Sequence, residues 1–238
     1  MISRRRRKRQ GGQEILEFAL SALFLVPLFL GMVVTGMAVI VSSEVNTLAR
    51  DLDSMYILGA DFSTSAYQAL TQTLATGLGL QYPAFAGGTT NIQSNTGTSG
   101  NGIIWVSQIM WVGPTTAPNC VAVGGASCPN QNSFVYTQQI VFGNSSLTSI
   151  KNTTVGNAAT NGATLSTAGI VSNPVTDPTA KLPATPQATM QSLWQTTSNG
   201  QTPLIDGQVV YIVEAYFQTP NLSFGAISNT GAYARYFF

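Results

Sequence analysis

A run of 24 residues without a charged side chain, residues 18–41, constrains the fold of this 238-residue chain more than any other feature. At a rise of about 1.5 Å per helical residue, the run extends about 36 Å. The hydrocarbon core of a bilayer is about 30 Å thick. We therefore predict a single transmembrane helix near the N-terminus.

The charges on either side of this run predict its orientation. The six basic residues before it are Arg4, Arg5, Arg6, Arg7, Lys8 and Arg9. In residues 42–60 the only basic residue is Arg50, accompanied by Glu44, Asp51 and Asp53. Because Lys and Arg near a span are retained on the cytoplasmic side, we expect a cytoplasmic N-terminus and residues 42–238 outside. The run is longer than the apolar core of a secretory signal.

A carboxylate, Glu17, lies at the mouth of the predicted span, five residues after Gly12. It costs less there than the ~2.5–3.5 kcal/mol of a charged residue at the bilayer centre. A counter-charge becomes necessary if the helix leaves the membrane and packs into an apolar assembly. The alternative is that Glu17 lies among lipid head groups on an uncleaved anchor.

Residues 12–18, with the sequence Gly-Gln-Glu-Ile-Leu-Glu-Phe, resemble the class III signal of type IV pilin-like proteins. The resemblance covers about residues 4–60 and is greatest to the TadE group of the Tad (Flp) pilus system. It implies that a prepilin peptidase cleaves between Gly12 and Gln13. Glu17 and Phe18 are then the fifth and sixth mature residues. In that family the glutamate pairs with the new α-amino group of a neighbouring subunit and sets the assembly register.

The resemblance also implies partners and a location. The partners are the prepilin peptidase, other pilin subunits, an inner-membrane assembly platform and membrane lipid. The protein is expected in the inner membrane before assembly and in an extracellular filament afterwards. One alternative is an uncleaved single-span anchor that presents an extracytoplasmic binding domain. Another is a pseudopilin of a secretion system, although the start Gln13-Glu14-Ile15 departs from the usual Phe-Thr-Leu type.

The apolar run contains residues that affect helix packing. Pro27 removes a backbone donor and can loosen the helix. Gly31 and Thr35 lie four residues apart, and Gly36 follows. Small residues at that spacing allow another helix to approach closely. Gly and Pro are also simply commoner in membrane helices, so both interpretations stay open.

The composition excludes several classes of function. Only 8% of residues are charged, and removal of residues 1–12 leaves four basic and nine acidic residues, a net charge of −5. This balance argues against a nucleic-acid partner. The chain contains no His, so the usual base for a Ser or Cys nucleophile is missing. Because the acids beyond residue 80 are only Asp177, Asp206 and Glu214, we predict no catalytic residues, no metal site and no cofactor.

Cys120 and Cys128 are the only two cysteines. In an exported domain we expect them to form a disulfide, which on the chain-entropy model stabilises the fold by roughly 2.5 kcal/mol. Two reduced thiols are the alternative.

The helix is expected to continue past the membrane. An apolar stripe follows the span at spacings of three and four residues, and its members are Val45, Leu48, Leu52, Met55, Gly59 and Phe62. Glu44, Arg50, Asp51 and Asp53 mostly lie off this stripe. A sheet of the same chain is the expected cover, with a coiled-coil seam as the alternative. Residues 65–68 read as a capping box that opens a second helix, which should fade at residues 77–79.

The rest of the chain is predicted to be β-rich with long loops. The four predicted strands are residues 102–112, 133–142, 208–218 and 231–238. The first has two apolar faces, which is typical of a central strand. Glu214 and Arg235 either pair across a ladder or face solvent independently. Periodicity is lacking in residues 86–101, 113–132 and 143–207, apart from a short helix around residues 186–196.

These polar loops are expected at the outer surface, where they either carry adhesion or subunit contacts or are merely solvated. The predicted fold class is α+β and pilin-like, with a long N-terminal helix and an antiparallel sheet. The predicted organisation is a basic leader (1–12), a transmembrane and filament-core helix (13–43), an extended helical region (44–80) and an extracytoplasmic domain (81–238).

Overall fold

The computed structural model describes residues 7–81, 95–97, 99–125, 128–151, 153–195, 202–218 and 231–238. The chain forms two compact units, which meet at Val41 and Ser42 in the sequence. The fold is α+β, with a long apolar N-terminal helix and an antiparallel sheet. This confirms the predicted fold class at that level.

Helix α1 runs from Arg7 to Ile57 and contains Pro27 without interruption. By length and composition it is able to cross a membrane. Its most apolar window is not buried by any described part of the chain.

Three shorter helices belong to the second unit. They are α2 (Ser65–Leu74), α3 (Pro118–Ala122) and α4 (Ala184–Trp194). The helix predicted to open at residue 65 and to fade at residues 77–79 is present, although its α-helical part ends at Leu74 and a 3-10 turn follows at Thr76–Leu78. The helix predicted around residues 186–196 is confirmed and begins two residues earlier than expected.

The predicted capping box at the start of α2 is wrong. Thr64 is the N-cap residue, and its side chain makes no capping hydrogen bond. The side-chain Nε2 of Gln68 instead donates to the carbonyl of Phe62 at 2.8 Å. This bond holds the turn before α2 and does not cap the helix. The predicted end of the helical region is confirmed, because Gly79 adopts the left-handed conformation that favours glycine.

The sheet has five strands in the order β1-β3-β2-β4-β5. The strands are β1 (Asn95–Gly97), β2 (Gly102–Val112), β3 (Ser133–Asn144), β4 (Val209–Phe217) and β5 (Ala232–Phe237). β2 through β5 pair antiparallel, and the four predicted strands are confirmed to within two residues at each end. β1 was not predicted; it pairs parallel with β3 within a segment whose other residues mostly lie outside the described part.

β2 is the central strand, as predicted, because both of its faces are covered. Residues 102–107 are all buried. The pairing with β3 shifts between Gln108 and Ile109, and the hydroxyl of Thr137 donates to the Gln108 carbonyl at 3.0 Å beside this bulge. Because β2 is the middle strand, the side chains on both of its faces lie in the core.

The C-terminal part of α1 covers one face of the sheet. Val45, Leu48 and Leu52 are buried there. The hydroxyl of Tyr56 donates to Oε1 of Gln138 on β3 at 2.8 Å, and its ring meets that of Tyr211 on β4 edge to face at 5.0 Å. The same chain therefore covers the apolar stripe, as predicted. The helical part of the stripe ends with α1 at Ile57, so Gly59 and Phe62 belong to the following turn.

Residues 145–151 and 153–195 form a covering segment that lies over the opposite face and along the edge of β3. Gln139 follows Gln138 on β3 and therefore points to the other side of the sheet. Its side chain donates to the carbonyl of Gly156 and accepts from the backbone N–H of Ala158. The buried apolar residues of this covering segment are Leu147, Val155, Ala158, Ala163, Val171, Ala180, Leu182 and Met190. The segment is therefore a layer of the core, not only the outer surface that we predicted.

The predicted disulfide is present. Cys120 in α3 and Cys128 are bonded, with their Cα atoms 5.2 Å apart. Both residues belong to the buried core.

Asp53 is buried, although its charge had placed it among the residues mostly off the stripe. It is 3% exposed, and it lies one residue after Leu52 and four residues after Ala49, which are both buried. Its Oδ1 atom has no hydrogen-bond partner among the described residues. Burial raises the pKa of this carboxyl to about 6.

We call the second unit, Ser42–Phe238, the folded unit. The raised pKa of Asp53 predicts that this folded unit loses stability as the pH rises. An unfolded Asp has a pKa of about 3.9, so between about pH 4 and 6 the folded state holds the proton more tightly. The free energy of unfolding should fall by about 2–3 kcal/mol across that interval and level off above it. Asp53→Asn should remove this decline and be more stable than wild type at pH 7.5.

Chemical unfolding at pH 4.5 and 7.5 measures the effect. Asp51→Asn is the matched control, because Asp51 is exposed and lies 3.7 Å from Arg50. If the two variants change with pH to the same extent as wild type, the burial of Asp53 does not determine the pH dependence.

Candidate processing and assembly site

The predicted cleavage junction, Gly12–Gln13, lies within α1. Gly12 is exposed, and a Cβ atom added there would meet no atom within 4 Å. Residues 1–6 of the predicted leader and the side chain of Gln13 lie outside the described residues. Gly costs about 1 kcal/mol relative to Ala inside a helix, so the pair Gly11-Gly12 locally weakens α1. The junction therefore lies where the intrinsic helix propensity of α1 is low.

Glu17 and Phe18 follow the junction on the same helix. Both are exposed, Phe18 to 76%. Within the side chains that the structure describes, the only ion pair is Arg50–Asp51, so Glu17 has no charged partner there. The carboxylate is therefore available to a partner from outside the described chain.

Helix geometry brings only some of the predicted packing residues onto the face of Glu17. At about 100° per residue, Ser21, Gly31 and Thr35 lie within about 40° of Glu17. We call Glu17, Ser21, Gly31 and Thr35 the assembly face. The Thr35 hydroxyl donates to the carbonyl of Gly31 at 2.6 Å, which satisfies its polar group within the helix.

The other two predicted packing residues lie elsewhere on α1. Pro27 is about 80° to one side of Glu17 and Gly36 about 100° to the other. Ser21 was not singled out from the sequence, although its spacing of four residues from Glu17 is a signal that could have identified it. Ser21 and Gly31 are small and exposed, which allows another helix to approach beside the carboxylate.

A second group of charged residues lies in the core of the other unit, around Glu214. This side chain is fully buried on β4. Its Oε1 atom accepts from the backbone N–H of Thr154 at 2.7 Å and from the hydroxyl of Tyr233. Nη1 of Arg235 donates to Oγ1 of Thr154 at 2.7 Å. These bonds join the covering segment to β4 and β5.

Of the two alternatives for Glu214 and Arg235, pairing across the ladder is confirmed in register but without an ion pair, and independent solvent-facing charges are wrong for Glu214. The residues are direct register partners on β4 and β5, as ladder pairing requires. They nevertheless form no ion pair within the described side chains, because Thr154 and Tyr233 lie between them in the hydrogen-bond network. Glu214 is also not solvent-facing, since the covering segment lies over it.

The environment of Glu214 keeps the tyrosine a hydrogen-bond donor. Burial, and then the charge of Glu214, raise the pKa of Tyr233 well above its usual range. Burial and Glu214 also raise the pKa of Tyr136, whose hydroxyl donates to the carbonyl of Val155. The ammonium of Lys151 lies 4.1 Å from the ring centroid of Tyr233. These contacts hold Lys151, Thr154 and Val155 against the sheet.

The described residues contain no group of three or more His, Cys, Asp or Glu side chains placed to hold a metal ion. Asp206 binds backbone, accepting from the N–H groups of Gly113 and Asn119 at 2.7 and 2.8 Å. Asp177 accepts from Thr179, which lowers the pKa of its carboxyl.

No family model, curated protein or solved structure matches this chain.

Proposed function

We propose that this chain is a prepilin-like subunit that is processed after Gly12 and assembled through α1 into or onto an extracellular filament of the type IV or Tad kind. The supporting observation is the exposed apolar surface of α1, which has a carboxylate at one end of its assembly face. The resemblance of residues 12–18 to the class III signal supports the same proposal.

The apolar surface of α1 needs a partner. Phe18, Phe24 and Leu28 are 76%, 72% and 67% exposed, and most of the other large apolar side chains of residues 18–41 are exposed to a lesser or similar degree, down to 36% at Leu30. Each fully exposed side chain of this kind forgoes roughly 1.5–3 kcal/mol of burial. Lipid supplies the apolar environment before assembly, and the helices of neighbouring subunits supply it afterwards.

Glu17 gives the assembly a register. A carboxylate transferred from the membrane edge into a bundle of helices requires a counter-charge. Cleavage after Gly12 creates an α-amino group at Gln13 that carries that charge. The amine of one subunit then pairs with Glu17 of its neighbour, while Gly31 and Ser21 allow the backbones to approach.

The partners follow from this sequence of events. A prepilin peptidase acts on the cytoplasmic face, and an inner-membrane platform brings other pilin subunits into contact. The chain has its N-terminus in the cytoplasm before assembly, and residues 42–238 are exposed on the filament afterwards. The function is assembly rather than catalysis.

Substitution of Gly12 tests the processing step. Gly12→Leu places a branched side chain at the junction, so we expect a product that still starts at Met1 and stays in the membrane. Its amount in sheared surface material should fall about tenfold or more, which corresponds to at least about 1.4 kcal/mol of barrier. N-terminal sequencing and quantitative immunoblotting of the two fractions measure this.

Gly11→Leu is the matched control, because it adds the same side chain one residue earlier and leaves the junction intact. It should be cleaved as wild type is. Normal maturation and assembly of Gly12→Leu would instead favour an uncleaved anchor that presents a binding domain.

A further inference from the structure

A cavity of about 380 Å³ lies between β2 and the covering segment. This volume is within the range of small-molecule sites. The lining residues that concern us are Trp105, Thr148, Thr153, Asn157, Thr160 and Asn161. None of the residues that line it carries a charge.

The wall of the cavity presents hydrogen-bond acceptors. The hydroxyls of Thr148, Thr153 and Thr160 each donate to a backbone carbonyl, at 2.7, 2.8 and 3.0 Å respectively. Nδ2 of Asn161 donates to the carbonyls of Thr179 and Lys181 at 2.7 Å. The hydroxyl and amide protons of these side chains are thus already used in hydrogen bonds to backbone carbonyls, while their side-chain oxygen atoms can still accept hydrogen bonds from a ligand. Such a wall suits a ligand rich in hydroxyl donors.

Two buried polar atoms at the sheet side of this layer have no partner among the described residues. They are Nε1 of Trp105 and Oε2 of Glu214, and both residues are fully buried. Trp105 and Glu214 are register partners on β2 and β4, so their side chains lie on the same face of the sheet. One atom is a donor and the other an acceptor. Trp105 lines the cavity and Glu214 does not, so the indole N–H is the one of the two groups that belongs to the cavity wall.

We propose that this cavity binds a neutral sugar unit, with Trp105 as a hydrogen-bond donor at its wall. The absence of charge in the lining disfavours an ionic ligand. The Trp105 side chain is fully buried, its Nε1 atom included, so the ring offers no free face for stacking. The exposed oxygen of Thr160 meets the ligand first, and the indole N–H bonds to it once a side chain of the wall moves aside. The inference rests on the folded unit alone and does not depend on filament assembly.

The test uses the full chain in lauryldimethylamine oxide, because that detergent has no sugar head group. Glucose, galactose and N-acetylglucosamine are titrated separately, and binding is followed by calorimetry and saturation-transfer NMR. N-acetylalanine amide serves as a peptide-like probe without hydroxyls. We expect saturable binding of at least one sugar and none of the amide.

Two variants locate the site. Trp105→Phe removes the indole N–H and Thr160→Val removes an exposed hydroxyl, and each should weaken sugar binding about threefold to tenfold. Trp194→Phe is the matched control for Trp105→Phe, because it also removes an unpartnered indole N–H but lies outside the cavity lining. It should leave the affinity unchanged.

Thr160→Val keeps the test decisive if Trp105→Phe perturbs the core, since Thr160 is on the surface. The proposal is overturned if no sugar binds saturably, if the amide binds better than every sugar, or if Thr160→Val binds as wild type does.

Discussion

Glu17→Gln is expected to remove this chain from extracellular filaments while membrane insertion and cleavage continue. Glutamine keeps the size of the side chain but not its charge. The α-amino group of a neighbouring Gln13 would then be buried without a counter-charge, and breaking a buried ion pair in this way costs about 3–5 kcal/mol. The amount of the chain in sheared filaments should fall at least a hundredfold, because a loss of about 2.7 kcal/mol of assembly free energy is enough to produce that change.

Glu14→Gln is the matched control, because Glu14 is an exposed glutamate one turn earlier on the same helix. It should assemble at the wild-type level. A charge-retaining variant, Glu17→Asp, should assemble better than Glu17→Gln. Filaments of normal abundance from Glu17→Gln would show that the carboxylate has no part in subunit docking.

Glu214→Ala should cause the largest loss of stability among single substitutions of charged residues in the folded unit. It leaves the Thr154 N–H without its acceptor and leaves the half-buried Tyr233 hydroxyl with only Oγ1 of Thr154, at 2.9 Å, as a partner. An unsatisfied donor costs about 1–3 kcal/mol and a lost hydrogen bond to a charged group about 1.5–3 kcal/mol, so we expect a decrease of about 3–5 kcal/mol in the free energy of unfolding. Urea unfolding of the full chain in detergent, followed by tryptophan fluorescence, measures it.

The same variant should release part of the covering segment, because Thr154 loses one of its attachments to the sheet. Limited proteolysis should therefore cut near residues 151–156 earlier than in wild type. Glu44→Ala, at an exposed position on α1, provides the control and should change stability by less than about 0.5 kcal/mol. If Glu214→Ala unfolds at the wild-type urea concentration, the buried hydrogen bonds of Glu214 do not hold this layer in place.

The strands and the long helix were predictable because their signals are local. β2 through β5 are runs of β-branched and aromatic residues, and the span is a long uncharged segment. The Cys120–Cys128 disulfide was also predictable, because the chain has no other cysteine with which either could pair. Such features depend on neighbouring residues, or on residue counts, rather than on tertiary contacts.

The covering segment could not be predicted in the same way. Its buried residues, such as Val155, Val171 and Met190, are spaced without a helical or strand period. Its burial depends on single contacts with β3, including the hydrogen bonds from the N–H of Val171 to Thr137 and from the N–H of Leu182 to Phe134. Isolated contacts of this kind leave no periodic pattern in the sequence.

Helix α2 shows why side-chain polarity can mislead. Gln68 and Thr71 are fully buried, whereas Leu70 and Leu74 are 41% and 48% exposed. Gln68 is held in the core by its bond to the carbonyl of Phe62. The burial of Asp53 and Glu214 is a similar case, because each depends on elements distant in the sequence. Glu17, Gly31 and Thr35 were predicted from the N-terminal sequence and Ser21 was not, and the common face of these four residues required the uninterrupted helix through Pro27.

The most direct test of processing and assembly is the N-terminal sequence and intact mass of the protein in sheared extracellular material, compared with the membrane fraction. We predict a chain that starts at Gln13 in the sheared material and a precursor that starts at Met1 in the membrane. A chain that starts at Met1 and occurs only in membranes would contradict the proposal of a processed filament subunit.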